Sequence, residues 1–170
     1  LETPQGRFSG MGVLGPNSQS FYMTGGGVTV TSYLADAWRY DLEEERWEGM
    51  TGPPEALLRS AAVRTGDQVH LFGGTLDGGT ETDTVYQWNL STGVWSTRLR
   101  SGTWPEARYK HAAALVNGDM VVVGGKTNDG DEDVIFGDVW IWDLGESTWR
   151  KLVVAGGPGG LYRHGLAWDE

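Results

Sequence analysis

One aromatic pattern occurs three times in this chain, and it limits the fold more than any other feature. Residues 36–50 read DAWRYDLEEERWEGM, residues 84–98 read TVYQWNLSTGVWSTR and residues 138–152 read DVWIWDLGESTWRKL. Aligned on the acid or amide, they give Trp38-x-Tyr40-Asp41, Tyr86-x-Trp88-Asn89 and Trp140-x-Trp142-Asp143, each followed six positions later by Trp47, Trp95 or Trp149. Upstream of each block stands a glycine pair: Gly25-Gly26, Gly73-Gly74 and Gly124-Gly125. The pairs fall 48 and 51 residues apart, the period of a repeat array built from one supersecondary unit per repeat.

Further upstream, an arginine precedes a small or apolar run: Arg7 before Met11, Arg59 before Ala61, Arg108 before Ala112, and Arg163 at the start of a fourth unit that the chain does not complete. Each complete unit parses as four strands. Ala112 to Val116 is a short run of small apolar residues, suited to a strand crowded near an axis. Asn117-Gly118 follows as a two-residue hairpin turn that accepts positive φ at both positions. Met120 to Val123, like Val69 to Phe72, is a continuous apolar run ending at the glycine pair. The third strand alternates, with Trp140 and Trp142 on one face and Val139 and Ile141 on the other; the fourth begins at the regularly spaced Trp. Helical periodicity is absent, and the glycine spacing would interrupt any long helix.

Composition agrees with this reading. In 170 residues there are 27 Gly and 9 Trp, which fit short elements joined by tight turns and packed by large flat side chains. The formal net charge is −10, from 23 Asp and Glu against 13 Lys and Arg, so a polyphosphate or anionic membrane surface would be repelled. No apolar run approaches the roughly 18 residues needed to span a bilayer. Zero cysteines exclude disulfides and thiolate metal sites and suit a reducing, cytoplasmic compartment. Leu1 rather than Met opens the chain, which leaves room for an upstream signal. The sequon Asn89-Leu90-Ser91 lies in a repeat turn and reads as a chance match.

With arginine, glycine pair, paired aromatics and final Trp in this order and spacing, the chain resembles the kelch-repeat family of β-propellers. Three repeats and part of a fourth cover nearly its whole length. The resemblance implies an all-β fold, a partial kelch-type propeller of three four-stranded antiparallel blades plus the first strand of a fourth. The small-residue strand would line the central channel and the Trp strand would lie outermost. Residues 1–170 are then a single partial propeller, with blades at about 5–50, 55–100 and 105–152 and the start of a fourth at about 155–170. Leu58, where the family usually has Pro or a small residue, and the histidines at 111 and 164, absent from the first two units, depart from the pattern. A ring needs about 4–8 blades, so an arc of this length leaves apolar faces that the remaining blades of a larger propeller, or a second copy of the chain, would cover.

Several candidate chemistries can be weighed on the residues. His111 and His164 occupy matching positions and could form a two-histidine metal site, but structural hydrogen bonding is the better reading, as it is for His70 at the head of an apolar strand. Asp129, Asp131 and Asp133 open like a calcium loop, yet Val134 and Trp140 stand where the turn glycine and the bidentate glutamate belong, so a solvated loop is expected. No serine sits in a nucleophile elbow, and Gly156-Gly157-Pro158-Gly159-Gly160 lacks the Lys-Ser/Thr of a phosphate loop. The copper radical oxidases of the family need a cysteine that this chain lacks.

The expectation is therefore a protein-interaction scaffold that presents variable loops, with no catalysis, no metal and no cofactor in this segment and a protein or peptide partner. A binding site is conceivable at the channel mouth through Arg7, Arg59, Arg108, Tyr109, His111, Tyr162, Arg163 and His164, since several kelch proteins take acidic or polar peptides there, while loop contacts are expected rather from the divergent segments 27–35, 75–83 and 126–137. The structural alternative, pairing with carbonyls or with the third-strand acids Asp36 and Asp138, is the better reading of the arginines because their repetition serves every blade alike. Two other functions stay open: part of a kelch-fold enzyme or metal-dependent domain completed by other blades, and a structural subunit of a large assembly.

Overall fold

A computed structural model describes residues 2–168, apart from 99, 129, 131, 154 and 158. Among the described residues there is no helix. The first unit comprises β1 (Met11–Leu14), β2 (Ser20–Thr24), a short ribbon β3 (Gly27–Thr29) and β4 (Ser32–Tyr33), then β5 (Ala37–Asp41) and β6 (Arg46–Met50). The second holds β7 (Leu57–Leu58), β8 (Ala61–Thr65), β9 (Gln68–Phe72), β10 (Thr75–Leu76), β11 (Val85–Asn89) and β12 (Trp95–Arg98). The third holds β13 (Ala112–Val116), β14 (Asp119–Val123), the ribbon β15 (Lys126–Asn128) and β16 (Asp133–Ile135), then β17 (Val139–Asp143) and β18 (Thr148–Leu152).

Three antiparallel meanders result: β1-β2-β5-β6, β8-β9-β11-β12 and β13-β14-β17-β18. Hairpin chemistry sets their registers. Asn117 and Gly118 both take positive φ, at 50° and 89°, and close the Val116↔Asp119 pair that aligns all of β13 with β14. The inner strands β1, β8 and β13 lie against one another in turn, so the blades fan out from an axis on that side. This is an all-β, partial and unclosed propeller. Among the described residues no helix is long and apolar enough to cross a membrane.

Period-2 alternation gives each blade two faces, and the blade interfaces form from unlike ones. Val69, Leu71, Tyr86 and Trp88 of the second blade pack on Met11, Tyr22 and Ala37 of the first. Met120, Val122, Trp140, Trp142 and Trp149 of the third pack on Val63, Phe72 and Val85 of the second. Trp88 stacks on Trp95 at 4.9 Å, and the Trp95 indole donates across the interface to the Thr51 carbonyl at 2.8 Å. In the first blade, Phe21, Tyr40 and Trp47 correspond to Val69, Trp88 and Trp95. They cluster at 5.0–5.2 Å and are only half-buried, with no described blade packed on that face.

The glycine pairs are where one blade accepts the next. Gly73 and Gly124 have φ of 61° and 63°, and a Cβ on them would stand 2.6 and 2.5 Å from the carbonyl oxygens of Arg108 and Leu161 in the following unit. The second glycine of each pair donates its N–H to that same carbonyl: Gly26 to Leu57, Gly74 to Arg108 and Gly125 to Leu161, at 2.7–2.8 Å.

The fourth unit follows this pattern without becoming a strand. Leu161 and Arg163 donate to the carbonyls of Phe136 and Lys110 at 2.9 Å, yet none of the described residues beyond Leu152 is in a strand.

Candidate binding site at the mouth of the arc

The four sequence arginines fall into two structural classes. Counted back from the inner strand, Arg7 and Arg108 stand four residues before β1 and β13, whereas Arg59 stands two before β8. The structurally equivalent sets are therefore Arg7, Leu57, Arg108 and Leu161 on the one hand, and Ser9, Arg59, Lys110 and Arg163 on the other. This corrects the single arginine series read from the sequence.

The two arginines of the first set are buried struts. Arg108 is 1% exposed, donates to both oxygens of Asp138 at 2.6 and 3.2 Å and to the Gly124 carbonyl at 3.0 Å, and lies 4.0 Å over the Phe136 ring. Arg7 repeats this with both oxygens of Asp36, at 2.5 and 2.7 Å, and with the Gly25 carbonyl at 3.0 Å. Trp38 and Trp140 add indole N–H donors to the same acids at 2.7 Å. Burial alone would raise the two carboxyl pKa values, but the arginine and indole donors outweigh it and hold both below the usual carboxylate range. Arg7 and Arg108 thus take the structural alternative weighed on the sequence, and their donors are spent inside the blade.

The second blade solves the same position differently. Leu57 replaces the arginine and Thr84 the acid, and the Tyr86 hydroxyl, in place of an indole, donates to Glu55. Removing both charges together leaves no ion stranded in the interior.

Members of the second set form the mouth. Arg59 donates its backbone N–H to the Ser9 carbonyl at 3.1 Å, Lys110 to Arg59 at 3.1 Å and Arg163 to Lys110 at 2.9 Å. All four are left-handed, with φ of 54°, 61°, 58° and 57°. For a non-glycine residue this conformation costs roughly 1–2 kcal/mol each, offset here by the inter-blade hydrogen bonds. A concave recess of about 450 Å³ opens among Phe8, Ser9, Gly10, Arg59, Ser60, Lys110, His111 and Arg163.

Three cations meet at this recess. No ion pair among the described residues includes Arg59, Lys110 or Arg163. Partial burial, and then the neighbouring charges of Arg163, Arg59 and Lys126, push the Lys110 ammonium down to about 8. Tyr109 lies beside two of them: it is 8% exposed, with the Lys110 ammonium 4.8 Å and the Arg59 guanidinium 5.7 Å from its ring centre. A second recess, of about 440 Å³, shares Arg59 with the first, is lined by Tyr109 and runs outward past Tyr33, Glu81 and Asn128.

The other expected site residues divide as follows. Tyr162 is exposed and lies 5.4 Å from the Lys126 ammonium, so it belongs to the rim. His111 is 6% exposed, and its ring carbon Cε1 lies against the place a Gly73 Cβ would occupy; His164 repeats this against Gly124. No hydrogen bond of good geometry from the described residues holds either imidazole, although the Phe72 backbone approaches His111. Burial, then the charge of Arg108, drive the His111 imidazole down to about 3, so it is neutral packing at neutral pH. His70 does approach a partner, with Gln87 at 3.3 Å, and burial lowers it to about 4. Among the described residues no group of three or more His, Cys, Asp or Glu could hold a metal. Asp129 and Asp131, expected in a solvated loop, lie outside the described residues, while Asp133 pairs with the Lys126 ammonium.

Lys110 is the mouth residue that sequence reasoning missed. Anchoring on arginine hid it; counting two residues back from the start of each inner strand would have found it beside Arg59.

The comparisons with known proteins point one way. Residues 2–169 match the family profile described as the KLHDC2/KLHL20/DRC7 Kelch-repeats domain. Among curated proteins, the chain is similar to Kelch domain-containing protein 10 of Homo sapiens, at 27% identity over 138 residues, covering 75% of this chain and 30% of that protein. It is also similar to Serine/threonine-protein phosphatase BSL2 of Arabidopsis thaliana, at 28% identity over 153 residues, covering 85% of this chain and 15% of that protein. A third is Rho GTPase-activating protein gacHH of Dictyostelium discoideum, at 25% identity over 118 residues, covering 66% of this chain and 8% of that protein. This chain therefore spans less than a third of each of these relatives. With the profile matched over nearly every residue and the blades in place, the chain belongs to the kelch-repeat family.

Proposed function

We propose that this chain is the ligand-facing part of a protein-interaction propeller that binds an acidic peptide segment at its mouth. Kelch-repeat domains are in general modules that bind protein partners, which supports the class. The observation that carries the site is the trio Arg59, Lys110 and Arg163, brought to one recess without a carboxylate partner among the described residues. A guanidinium fork suits a carboxylate, and a cationic recess in a chain of net charge −10 selects where such a segment lands.

In this reading the rigid blades position the recess, and the outer ribbons give the partner its neighbouring contacts. The division into blades at about 5–50, 55–100 and 105–152, with a fourth begun at about 155–170, belongs to the same proposal.

The test is a peptide array of blocked twelve-residue segments, probed with the chain and with its Arg59→Ala/Arg163→Ala double variant. Capture of acidic over neutral segments by the parent chain, lost in the double variant, is the expected result. Equal capture by both proteins would remove the mouth as the binding site.

A further inference from the structure

The charge count at the mouth goes further than an acidic peptide. This chain has 23 acidic residues against 13 basic ones, yet the axial recess is lined by three bases and no acid. Some surface cations find carboxylates, as Arg39 does with Asp41 and Glu48 and Lys151 with Asp138. Others such as Arg98 and Arg150 stand alone among the described residues, but only at this recess do three without an ion pair come together. Of the three lysines, Lys126 and Lys151 are paired and Lys110 is not.

The backbone holds these charges together. Successive main-chain hydrogen bonds run from Arg163 to Lys110 and from Lys110 to Arg59, and each of the three is left-handed. The joint between blades thus keeps the three residues together at the backbone, and their side chains share one recess. A single carboxylate accepts one fork and leaves two like charges facing each other. A phosphate monoester carries about −1.5 to −2 charges and three terminal oxygens, one acceptor for each cation. Ser9 and Ser60, at the same recess, add neutral partners for the ester edge.

We propose that the axial recess is a phosphate-monoester site that takes a phosphorylated serine or threonine side chain of a peptide partner. It rests on the reading that the mouth binds a peptide, and it specifies the group that enters. A membrane or a nucleic acid fits less well, because the recess is concave and the rest of the surface, at net −10, repels an extended polyanion.

The probes are three capped amino acids, N-acetyl phosphoserine, glutamate and serine N-methylamides, titrated into the chain while the amide signals of Arg59, Lys110 and Arg163 are followed by NMR. The phosphoserine probe is expected to bind at least tenfold more tightly than the glutamate probe, with serine silent. Arg163→Ala, a substitution at an exposed side chain, is expected to weaken phosphoserine binding at least tenfold with unchanged far-UV spectrum, and Lys110→Arg to retain most of it. Equal affinity for glutamate and phosphoserine would overturn the phosphate assignment and leave the acidic-peptide reading standing. No response to either anion would remove both readings. Tighter binding to phosphatidylserine vesicles than to the phosphoserine probe would overturn the proposal in favour of a membrane surface.

Discussion

Arg108 and Asp138 share two N–H···O contacts at 2.6 and 3.2 Å, with the arginine side chain 1% and the aspartate side chain 15% exposed. Removing one partner of such a pair strands the other charge in the interior. Asp138→Asn is expected to lower the stability of the chain by about 3 kcal/mol in urea denaturation. The equivalent Asp36→Asn should cost less, about 1–2 kcal/mol, because Asp36 is 34% exposed and water reaches its carboxylate. Equal losses for the two variants would contradict the strut assignment.

The second blade lacks this pair, and that gives a double-substitution test. Leu57→Arg alone buries a guanidinium beside Thr84 and is expected to destabilise by about 3 kcal/mol or more. Adding Thr84→Asp should recover at least about 1 kcal/mol by recreating the arrangement of Arg7 with Asp36. Additive losses in the double variant would show that the two positions do not communicate.

Two glycines with nearly equal φ separate backbone strain from close approach. Gly66, at φ 54°, has open space where a Cβ would go, while at Gly73, φ 61°, that Cβ would meet the Arg108 carbonyl oxygen at 2.6 Å. Gly66→Ala is expected to cost about 1 kcal/mol from φ alone. Gly73→Ala should cost at least about 2 kcal/mol more, because the third blade must move away from the second. Thermal melts of the two variants provide the comparison.

Acid should loosen the interface between the second and third blades. The His111 imidazole is held neutral down to about pH 3 in the fold, whereas it takes a proton near pH 6.5 when unfolded. Between those values the unfolded chain binds more protons, so stability falls as pH drops from 6.5 towards 3, by roughly 2 kcal/mol at pH 5 for this group. His111→Gln is expected to flatten that slope relative to the parent chain in urea titrations at pH 7.5 and pH 5. His70, lowered to about 4, contributes in the same window and remains in both proteins. Identical slopes would show that His111 is reached by water in the fold.

Much of the architecture was legible because its signals are periodic. The Trp and Tyr spacing placed β5, β11 and β17, the Ala112 to Val116 run coincides with β13, and Asn117-Gly118 takes the positive φ values its hairpin needs. The ribbons β3–β4 and β15–β16 were not visible, since their segments differ in length and charge and carry no alternation. The mouth was misread for a different reason. Arginine does two jobs two residues apart in this repeat, one inside the blade at Arg7 and Arg108 and one at the axis at Arg59 and Arg163, and residue type does not distinguish them. Only the distance to the inner strand does. For the same reason Leu57 hid a position whose ionic partners were exchanged together.

At the mouth, Ser9, Arg59, Lys110 and Arg163 are joined through peptide groups alone. The fastening of one blade to the next is therefore indifferent to what each of these residues displays, within the set of side chains that accept a left-handed backbone. Substitution could turn this opening from cationic to anionic, or to bare glycine, without giving up one of those bonds. A scaffold joined in this way can change what it recognises much faster than it changes shape.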